Sequence, residues 1–394
     1  MALLKCCKSH KLVMDSTAVS LLTFPPVKPN DLKDYDETPK ISDSFLFHKQ
    51  SHVPDSFKWP EQDVILSHGD LEEPLVDLKG FLLGVDQEET HRAADTVRAA
   101  CLSHGFFQVI NHGVDLSLIH DAHDSIGSFF KITVSNKLRA EKKPNSPWGH
   151  SIAHNDRFSS KLPWKKAFTF GYHESSPDSV VGFFKSTLGM DFEPAGKVYQ
   201  KYCEEMKKLA LSLMELLAIS LGLERSYYRD FFKDGCSIMR CNSYPPCQEP
   251  SLVLGTGPHC DPTSLTILHQ DQVGGLEVFV NDKWYKVRPH AHALVINIGD
   301  TFAALTNGIY KSCPHRAVVN LHRERRSLAF FLCPQEDKMI APAPDLAPGG
   351  ARKYPDFTWS DLLRFTQKHY RADQCTLPKF TEWFLSLQDR TLDC

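Results

Sequence analysis

From residue 93 apolar side chains recur at helical spacing: Ala93, Val97, Ala100 and Cys101 stand at i, i+4, i+7 and i+8. Gly105 follows, where a helix commonly closes on a left-handed residue. Phe106-Phe107-Gln108-Val109-Ile110 then reads as a buried strand. A second long helix is predicted from about Pro194 to Leu221. Val198, Tyr202, Met206, Leu209, Leu213, Leu216 and Ile219 share its stripe, and Pro194 suits the first turn. Upstream, Leu75-Val76-Asp77-Leu78 resembles a short strand. Residues 1–70 are rich in Pro, Ser, Asp and His, without sustained period. They predict a loosely ordered arm, with docking points at Val53-Pro54-Asp55 and Trp59-Pro60. The Pro-, Ser- and aromatic-rich stretch 142–190 predicts a long structured loop region.

From about Ser237 the period changes. Short runs rich in β-branched and apolar residues span Ser237–Tyr244, Leu265–His269, Leu276–Val280, Trp284–Val287, Ala293–Ile298, Ala317–Leu321 and Ser327–Leu332. Turn signals such as Pro245-Pro246, Gly274-Gly275 and Asn281-Asp282 punctuate them. Many short strands at such spacing argue a β-sandwich or jelly roll and not a parallel sheet. The tail adds a helix at about Ser360–Tyr370 and an apolar run at Trp383–Leu387.

Composition narrows the class. With 394 residues, 42% hydrophobic and 24% charged, the chain can bury a full core without a disulfide or zinc staple. A net charge of −3 offers no global field for nucleic acid or an anionic membrane. No run approaches the ~18 apolar residues that span a bilayer, and Met1–Leu22 lacks an unbroken signal-peptide core. The 12 cysteines are scattered without CxxC spacing, which points to reduced thiols and a cytoplasmic location. No obligate protein partner is evident, and Cys6-Cys7 is the place where lipidation would act.

The candidate chemistry lies in the histidines. A non-haem ferrous site takes two imidazoles and one carboxylate on one face of the metal. A His-x-Asp pair at a strand end suits it, because residues i and i+2 point the same way. The pattern occurs at His68/Asp70, His154/Asp156, His259/Asp261 and His269/Asp271. His68 and His154 sit in polar turns, and His269 ends an apolar strand as a packed or rim residue. His259 follows a Gly-Thr-Gly-Pro turn and directly precedes a strand. His315 comes 54 positions after Asp261, and Arg325 and Ser327 follow at i and i+2. A guanidinium fork with a hydroxyl on one strand face is how a buried site grips a carboxylate.

At these residues the sequence resembles the plant 2-oxoglutarate- and Fe(II)-dependent dioxygenases, over roughly residues 70–345. Asn242-Ser243-Tyr244-Pro245-Pro246-Cys247 is similar to the family's Asn-x-Tyr-Pro-Pro-Cys strand. Gly257-Pro258-His259-Cys260-Asp261-Pro262-Thr263-Ser264-Leu265-Thr266 is similar to its metal strand, and His104–Gly113 to its N-terminal signature. Leu162-Pro163-Trp164-Lys165 and Leu268–Leu276 resemble the gibberellin 20-oxidase group. Two departures stand out: Ser243 at the centre of the usual Asn-Tyr-Tyr, on a side chain expected to point away from the site, and Lys166-Ala167 where Glu-Thr is usual.

The resemblance implies a mixed α/β (α+β) fold: a double-stranded β-helix (jelly-roll) core flanked by a helical N-terminal region and C-terminal helices. The expected divisions are an arm at 1–70, a helical region at 71–232, the jelly roll at 233–340 and a helical extension at 341–394. It implies that His259, Asp261 and His315 bind Fe(II), and that Arg325, Ser327, Tyr244 and Asn242 hold 2-oxoglutarate, with O2 as oxidant and ascorbate as reductant. It also implies a small diterpenoid substrate, a carboxylated gibberellin precursor oxidised at carbon 20 to alcohol, aldehyde and lactone. Trp148, Phe158, Trp164 and Phe168 are the expected apolar wall, and Lys165 or Lys166 the grip on the substrate carboxylate. The alternatives are another plant dioxygenase acting on a flavonoid, an alkaloid or a later gibberellin, a non-catalytic jelly-roll binder, and a zinc hydrolase.

Overall fold

The computed structural model describes residues 47, 50 and 52–392 apart from 85, 134–136, 144–145, 147, 154–160 and 370–374. Met1–Leu22, Cys6-Cys7, Phe158 and the His154/Asp156 pair lie outside the described residues. The strands are β1 Gly69–Asp70, β2 Leu75–Asp77, β3 Phe106–Ile110, β4 Gly149–Ile152, β5 Lys166–Tyr172, β6 Ser237–Tyr244, β7 Thr256–His259, β8 Leu265–Gln270, β9 Leu276–Val280, β10 Lys283–Val287, β11 Leu294–Ile298, β12 His315–Ala317, β13 Arg325–Leu332, β14 Met339–Ile340 and β15 Phe357–Thr358. Among the described residues they form an eight-stranded sheet ordered β2-β3-β11-β8-β13-β6-β5-β4, a five-stranded sheet ordered β1-β10-β9-β12-β7, and the small β14-β15 pair. The fold is the double-stranded β-helix, with helices on the outer side of the larger sheet. None of the helices among the described residues is long and apolar enough to cross a membrane.

Alternation along each strand divides that sheet's two faces. On β6, Met239 and Cys241 are fully buried in the core on the helix side, while Ile238, Arg240, Asn242 and Tyr244 line a cavity. The helix Glu193–Ser220 fills the core side with Tyr202, Met206, Leu209, Leu213 and Leu216, all buried, and Pro194 stands in its first turn. The helix Gln87–Ser103 buries Ala93, Val97, Ala100 and Cys101, the positions its period marked. Asp86 caps it by accepting the N–H groups of Glu88 and Glu89 at 2.8 and 3.1 Å. It turns into β3 through Gly105 at φ +74°, where a Cβ would meet the Lys311 carbonyl oxygen at 2.0 Å.

The structure departs from the sequence reading in four places. Residues 142–190 are not a loop region: they contain β4, β5 and the helix Ser179–Leu188. β5 lies inside the sheet beside β6 and is buried on both faces, so it lacks the alternation that marks a half-exposed strand. A helix at Leu116–Phe129, capped by Asp115, was not anticipated; it buries Ile119, Ala122, Ile126 and Phe129. The strand expected at Ala317–Leu321 is His315–Ala317 instead. The β12–β7 register shifts between His315 and Ala317, and the next residue, Val318, bonds the Gly275 carbonyl. Finally, β7 pairs as a strand up to His259, and Asp261 lies just past its end.

The segment before β2 is fastened to the barrel. Phe57 and Val53 are buried beside Trp164, the Trp59 N–H donates to the Leu252 carbonyl at 2.9 Å, and β1 pairs parallel to β10. One residue does much of the fastening. Arg316, 2% exposed, donates its Nε to Glu277 Oε2 at 2.8 Å and its Nη1 to the Asp63 carbonyl at 2.7 Å. It also donates to the Ile65 carbonyl and lies 4.1 Å over the Trp284 ring.

Removing one partner of a buried ion pair strands the other charge and typically costs about 3–5 kcal/mol. Arg316→Met is therefore expected to lower unfolding stability by about that amount. Urea titration checks this: the midpoint falls, and the slope stays near that of the unaltered protein.

Candidate active site

β12 runs antiparallel to β7 with His315 directly opposite His259. The two rings lie 4.2 Å apart between centroids. Each ring is oriented by its own chain. His259 Nδ1 lies 2.9 Å from the Gly257 carbonyl, and His315 Nδ1 lies 3.3 Å from the Cys313 carbonyl. That tautomer turns both Nε2 atoms toward Asp261, whose Oδ1 stands 3.7 Å from each. The other oxygen, Oδ2, accepts from the Thr266 hydroxyl at 2.6 Å and the Asn297 amide at 3.0 Å. One ligand atom from each of the three residues falls within 4.8 Å of the others, the spacing a metal ion needs.

The electrostatics fit a divalent cation. Burial, then the neighbouring His315, push the His259 imidazole down to about 3, so it is neutral and offers a lone pair. Asp261 is held below the usual carboxylate range: its burial opposes this, and the two histidines and the Thr266 and Asn297 donors outweigh it. Two imidazoles and one carboxylate, all oriented by outer hydrogen bonds, match the facial donor set of a non-haem ferrous site.

The four residues singled out for 2-oxoglutarate are two cross-strand pairs on β6 and β13: Arg325 faces Tyr244, and Ser327 faces Asn242. All four are buried on the cavity side, each at most 5% exposed. The Arg325 guanidinium lies 4.8 Å over the Tyr244 ring and donates to Gln270 Oε1 at 3.2 Å. Those partners are neutral, and among the described residues Arg325 Nε and Asn242 Oδ1 have none. A buried cation with a spare donor, lining the same cavity as the triad from the other sheet, is an anion site. Asn242 donates to Ser327 Oγ at 3.3 Å, so it organises the hydroxyl beside that site.

The other His-x-Asp pairs are elsewhere. His68 is exposed near β1, and Asp70 pairs with Arg288. His269 points to the helix side and meets His123, Nδ1 to Nε2 at 2.6 Å, while Asp271 accepts the Arg326 and Val273 N–H groups. Among the described residues of the expected aromatic wall, Trp148, Trp164 and Phe168, only Trp148 lines the cavity. Trp164 packs on Phe47 and Phe57. Phe168 sits on the helix face of β5 against Phe129, because alternation sends Ala167 and Thr169 inward instead. The lysines divide likewise: Lys165 lines the cavity and donates to Thr256 Oγ1 at 3.1 Å, whereas Lys166 lies over Phe47 on the other side. Ser243 points away, toward Glu324 at 2.5 Å. Sequence reasoning missed Gln270, Thr266, Asn297 and Arg240. Strand alternation from Leu265 and from Asn242 would have put Thr266, Gln270 and Arg240 on the site's face; nothing short of pairing places Asn297.

Comparison with known proteins agrees with this geometry. Residues 235–334 match the 2OG-Fe(II) oxygenase superfamily, and residues 74–186 match the family described as non-haem dioxygenase in morphine synthesis N-terminal. Gibberellin 20 oxidase 2 of Oryza sativa subsp. indica is 58% identical over 333 residues, covering 84% of this chain and 85% of that protein. Gibberellin 20 oxidase 2 of Arabidopsis thaliana is 50% identical over 360 residues, covering 90% and 94%. A solved structure of JOX2 in complex with 2OG, Fe and JA superposes with a TM-score of 0.73 at 31% identity, over 84% of this chain and 95% of that one. The cofactor and co-substrate of the protein are Fe(II) and 2-oxoglutarate. With two strand pairs that converge on a His-Asp-His face, and relatives of this identity over most of its length, the chain belongs to the 2OG-Fe(II) oxygenase superfamily, among the gibberellin 20 oxidases.

Proposed function

We propose that the protein is a gibberellin 20-oxidase, a cytoplasmic enzyme that oxidises carbon 20 of a carboxylated diterpenoid stepwise to alcohol, aldehyde and lactone product. The observation that carries the dioxygenase chemistry is the buried Arg325 with neutral partners on the wall of the triad's cavity. The similarity to gibberellin 20 oxidases carries the substrate. The nine cysteines among the described residues are free thiols, which suits a reducing compartment.

Fe(II), when bound, would supply oxidation of an unactivated C–H bond by dioxygen, coupled to conversion of 2-oxoglutarate to succinate and CO2. His259, Asp261 and His315 would hold the metal. Arg325 takes the distant carboxylate of 2-oxoglutarate through its fork, and the Ser327 and Tyr244 hydroxyls donate beside it. Asn242 holds Ser327 in place. The substrate occupies the rest of the cavity, against Ile238, Phe331 and Leu363. Arg240, at mid-wall between Thr169 and the Phe331 ring, is a cation on that wall placed to meet its carboxylate. Of the two lysines expected in that role, Lys165 lines the same cavity and Lys166 does not. Packing the substrate against these walls excludes water and selects which carbon is attacked.

Loss of a ligand should be visible without turnover. His259→Ala, Asp261→Ala and His315→Ala are expected to abolish both activity and stoichiometric Fe(II) retention on anaerobic dialysis, while His68→Ala keeps both. Asn297→Ala, which removes an outer donor to Asp261, should weaken metal affinity by about 10–100-fold. Full retention of iron by the His259→Ala protein would contradict the assignment.

Breaking a buried charge pair costs about 2–5 kcal/mol. Arg325→Ala should therefore raise the 2-oxoglutarate KM by roughly 30- to 4,000-fold. Arg323→Ala should change it little. Arg326→Ala should act on stability and not on this KM, since its guanidinium donates to the His123 carbonyl behind the sheet.

Incubation with a carbon-20-labelled gibberellin precursor, Fe(II), ascorbate and 2-oxoglutarate should yield the labelled alcohol, then the aldehyde, then loss of the label. Arg240→Ala should raise the KM for that acid more than for its methyl ester. Products hydroxylated only on ring carbons, with carbon 20 intact, would reject the 20-oxidase assignment and leave the dioxygenase chemistry standing.

A further inference from the structure

The strand pair that carries the 2-oxoglutarate clamp ends in two cysteines. Its register runs from Arg325 opposite Tyr244 to Leu332 opposite Ser237. One further step sets Cys333 opposite Cys236, and the Cys333 N–H donates to the Cys236 carbonyl at 3.0 Å. A hydrogen-bonded antiparallel pair holds its Cα atoms about 5.5 Å apart. That is within the roughly 4.4–6.8 Å a disulfide spans. The backbone here is tightly apposed: a Cβ on Gly235 would meet the Cys333 carbonyl oxygen at 2.2 Å. Because alternation continues past the strand ends, both thiols share the cavity face with Ile238 and Phe331, and both line the cavity beside Trp359 and Leu363.

Their surroundings make the two thiols unequal. Lys207, buried under the sheet end, donates its ammonium to the Phe232 and Gly235 carbonyls at 2.9 Å each. The Cys333 thiol, and then the Lys207 charge, hold the Cys236 thiol below its ordinary value in spite of its burial. Burial pushes the Cys333 thiol well up. Such a pair offers a more acidic thiol, which donates to the Pro334 carbonyl at 3.7 Å until it loses its proton and attacks, and a protonated thiol to resolve. Cys101, Cys203 and Cys241 belong to the same buried core as this pair but do not line the cavity, and burial raises all three.

We propose that Cys236 and Cys333 form a peroxide-responsive dithiol in the wall of the substrate cavity, which closes to a disulfide that weakens substrate binding. The Cys236 thiolate attacks one peroxide oxygen, the O–O bond breaks, and the departing hydroxide takes a proton to become water. The Cys333 sulfur then attacks the Cys236 sulfur, the S–O bond breaks, and the second hydroxide leaves with the Cys333 proton as water. Two thiols are oxidised by two electrons, and one peroxide is reduced to two waters. A dithiol reductant reverses the change. The clamp lies eight residues back along the ladder, about 27 Å at strand rise, so 2-oxoglutarate binding is unaffected. The effect on turnover rests on the proposed dioxygenase activity; the disulfide does not.

The test treats the holoenzyme with hydrogen peroxide, desalts it, reloads Fe(II) so that iron oxidation does not register, and divides the sample. Proteolysis without reductant should yield a Cys236–Cys333 linked peptide, two hydrogens lighter than its parts, that dithiothreitol abolishes. The other portion should show a several-fold rise in the KM for the gibberellin precursor, an unchanged 2-oxoglutarate KM, and recovery with dithiothreitol. In Cys333→Ser, and in Cys333→Ala should the serine variant fold poorly, peroxide should form no such link and leave that variant's own substrate KM where it was. Recovery of both cysteines as free thiols after peroxide, or linkage of either to another cysteine, overturns the proposal. So does a formed disulfide with no change in substrate KM. If the reduced protein turns over no precursor, the function fails, and the peptide link still decides the dithiol.

Discussion

The pairing of β12 with β7 is the constraint on which the site depends. It sets His315 opposite His259, although the two are 56 positions apart in sequence. The carbonyls two residues before each histidine then fix its ring, so that both Nε2 atoms face one Asp261 oxygen. A slip of one residue on either strand would send an imidazole to the opposite face of the sheet. The irregular register beyond His315 shows that this pairing is local, held just where the two imidazoles meet. β9 holds the other edge of β12, with Val278 opposite His315, so the ligand strand is gripped from both sides.

The same logic extends outward through Arg316. It is the residue after His315, so it points to the opposite face, and there it joins Glu277, Trp284 and the carbonyls of the segment before β2. A single strand of three residues thus presents one histidine of the His-Asp-His cluster on one side and the anchor of the N-terminal segment on the other. A full charge buried there is tolerable because nearly every donor of the guanidinium is used. The ligand strand and the segment that wraps it are therefore coupled through adjacent residues of one chain.

Much of the site was legible in the sequence because its residues come in i, i+2 pairs on strands: Asn242 and Tyr244, Arg325 and Ser327. What could not be read was which strands lie side by side. Asn297 belongs to the site only because β11 pairs with β8, which places it against Asp261. β5 was missed for a related reason. Its residues are buried on both faces by the helix layer and the cavity, so neither alternation nor exposure distinguishes it from an aromatic-rich loop. Phe168 was misplaced at the same point: once β5 is a strand, Phe168 and Ala167 must face opposite ways, and the smaller one looks into the cavity. The departure from the usual Glu-Thr thereby acquires a meaning, since Ala167 enlarges the cavity side while Lys166 falls outside it.

The β6–β13 ladder orders the chemistry along its length. Its cavity face begins with the buried guanidinium and hydroxyls of Arg325, Tyr244 and Ser327. It passes Arg240 at mid-wall, becomes apolar at Ile238 and Phe331, and closes on the two thiols. A dicarboxylic co-substrate and a largely hydrocarbon acid need different surroundings, and a strand pair supplies both by changing side chains every second residue without bending the backbone. Because one register governs the whole face, the distance between the two binding regions is set by the rise of a strand and not by loop conformation. That rigidity is what lets one cavity hold two ligands in fixed relation, which successive oxidations at a single carbon require.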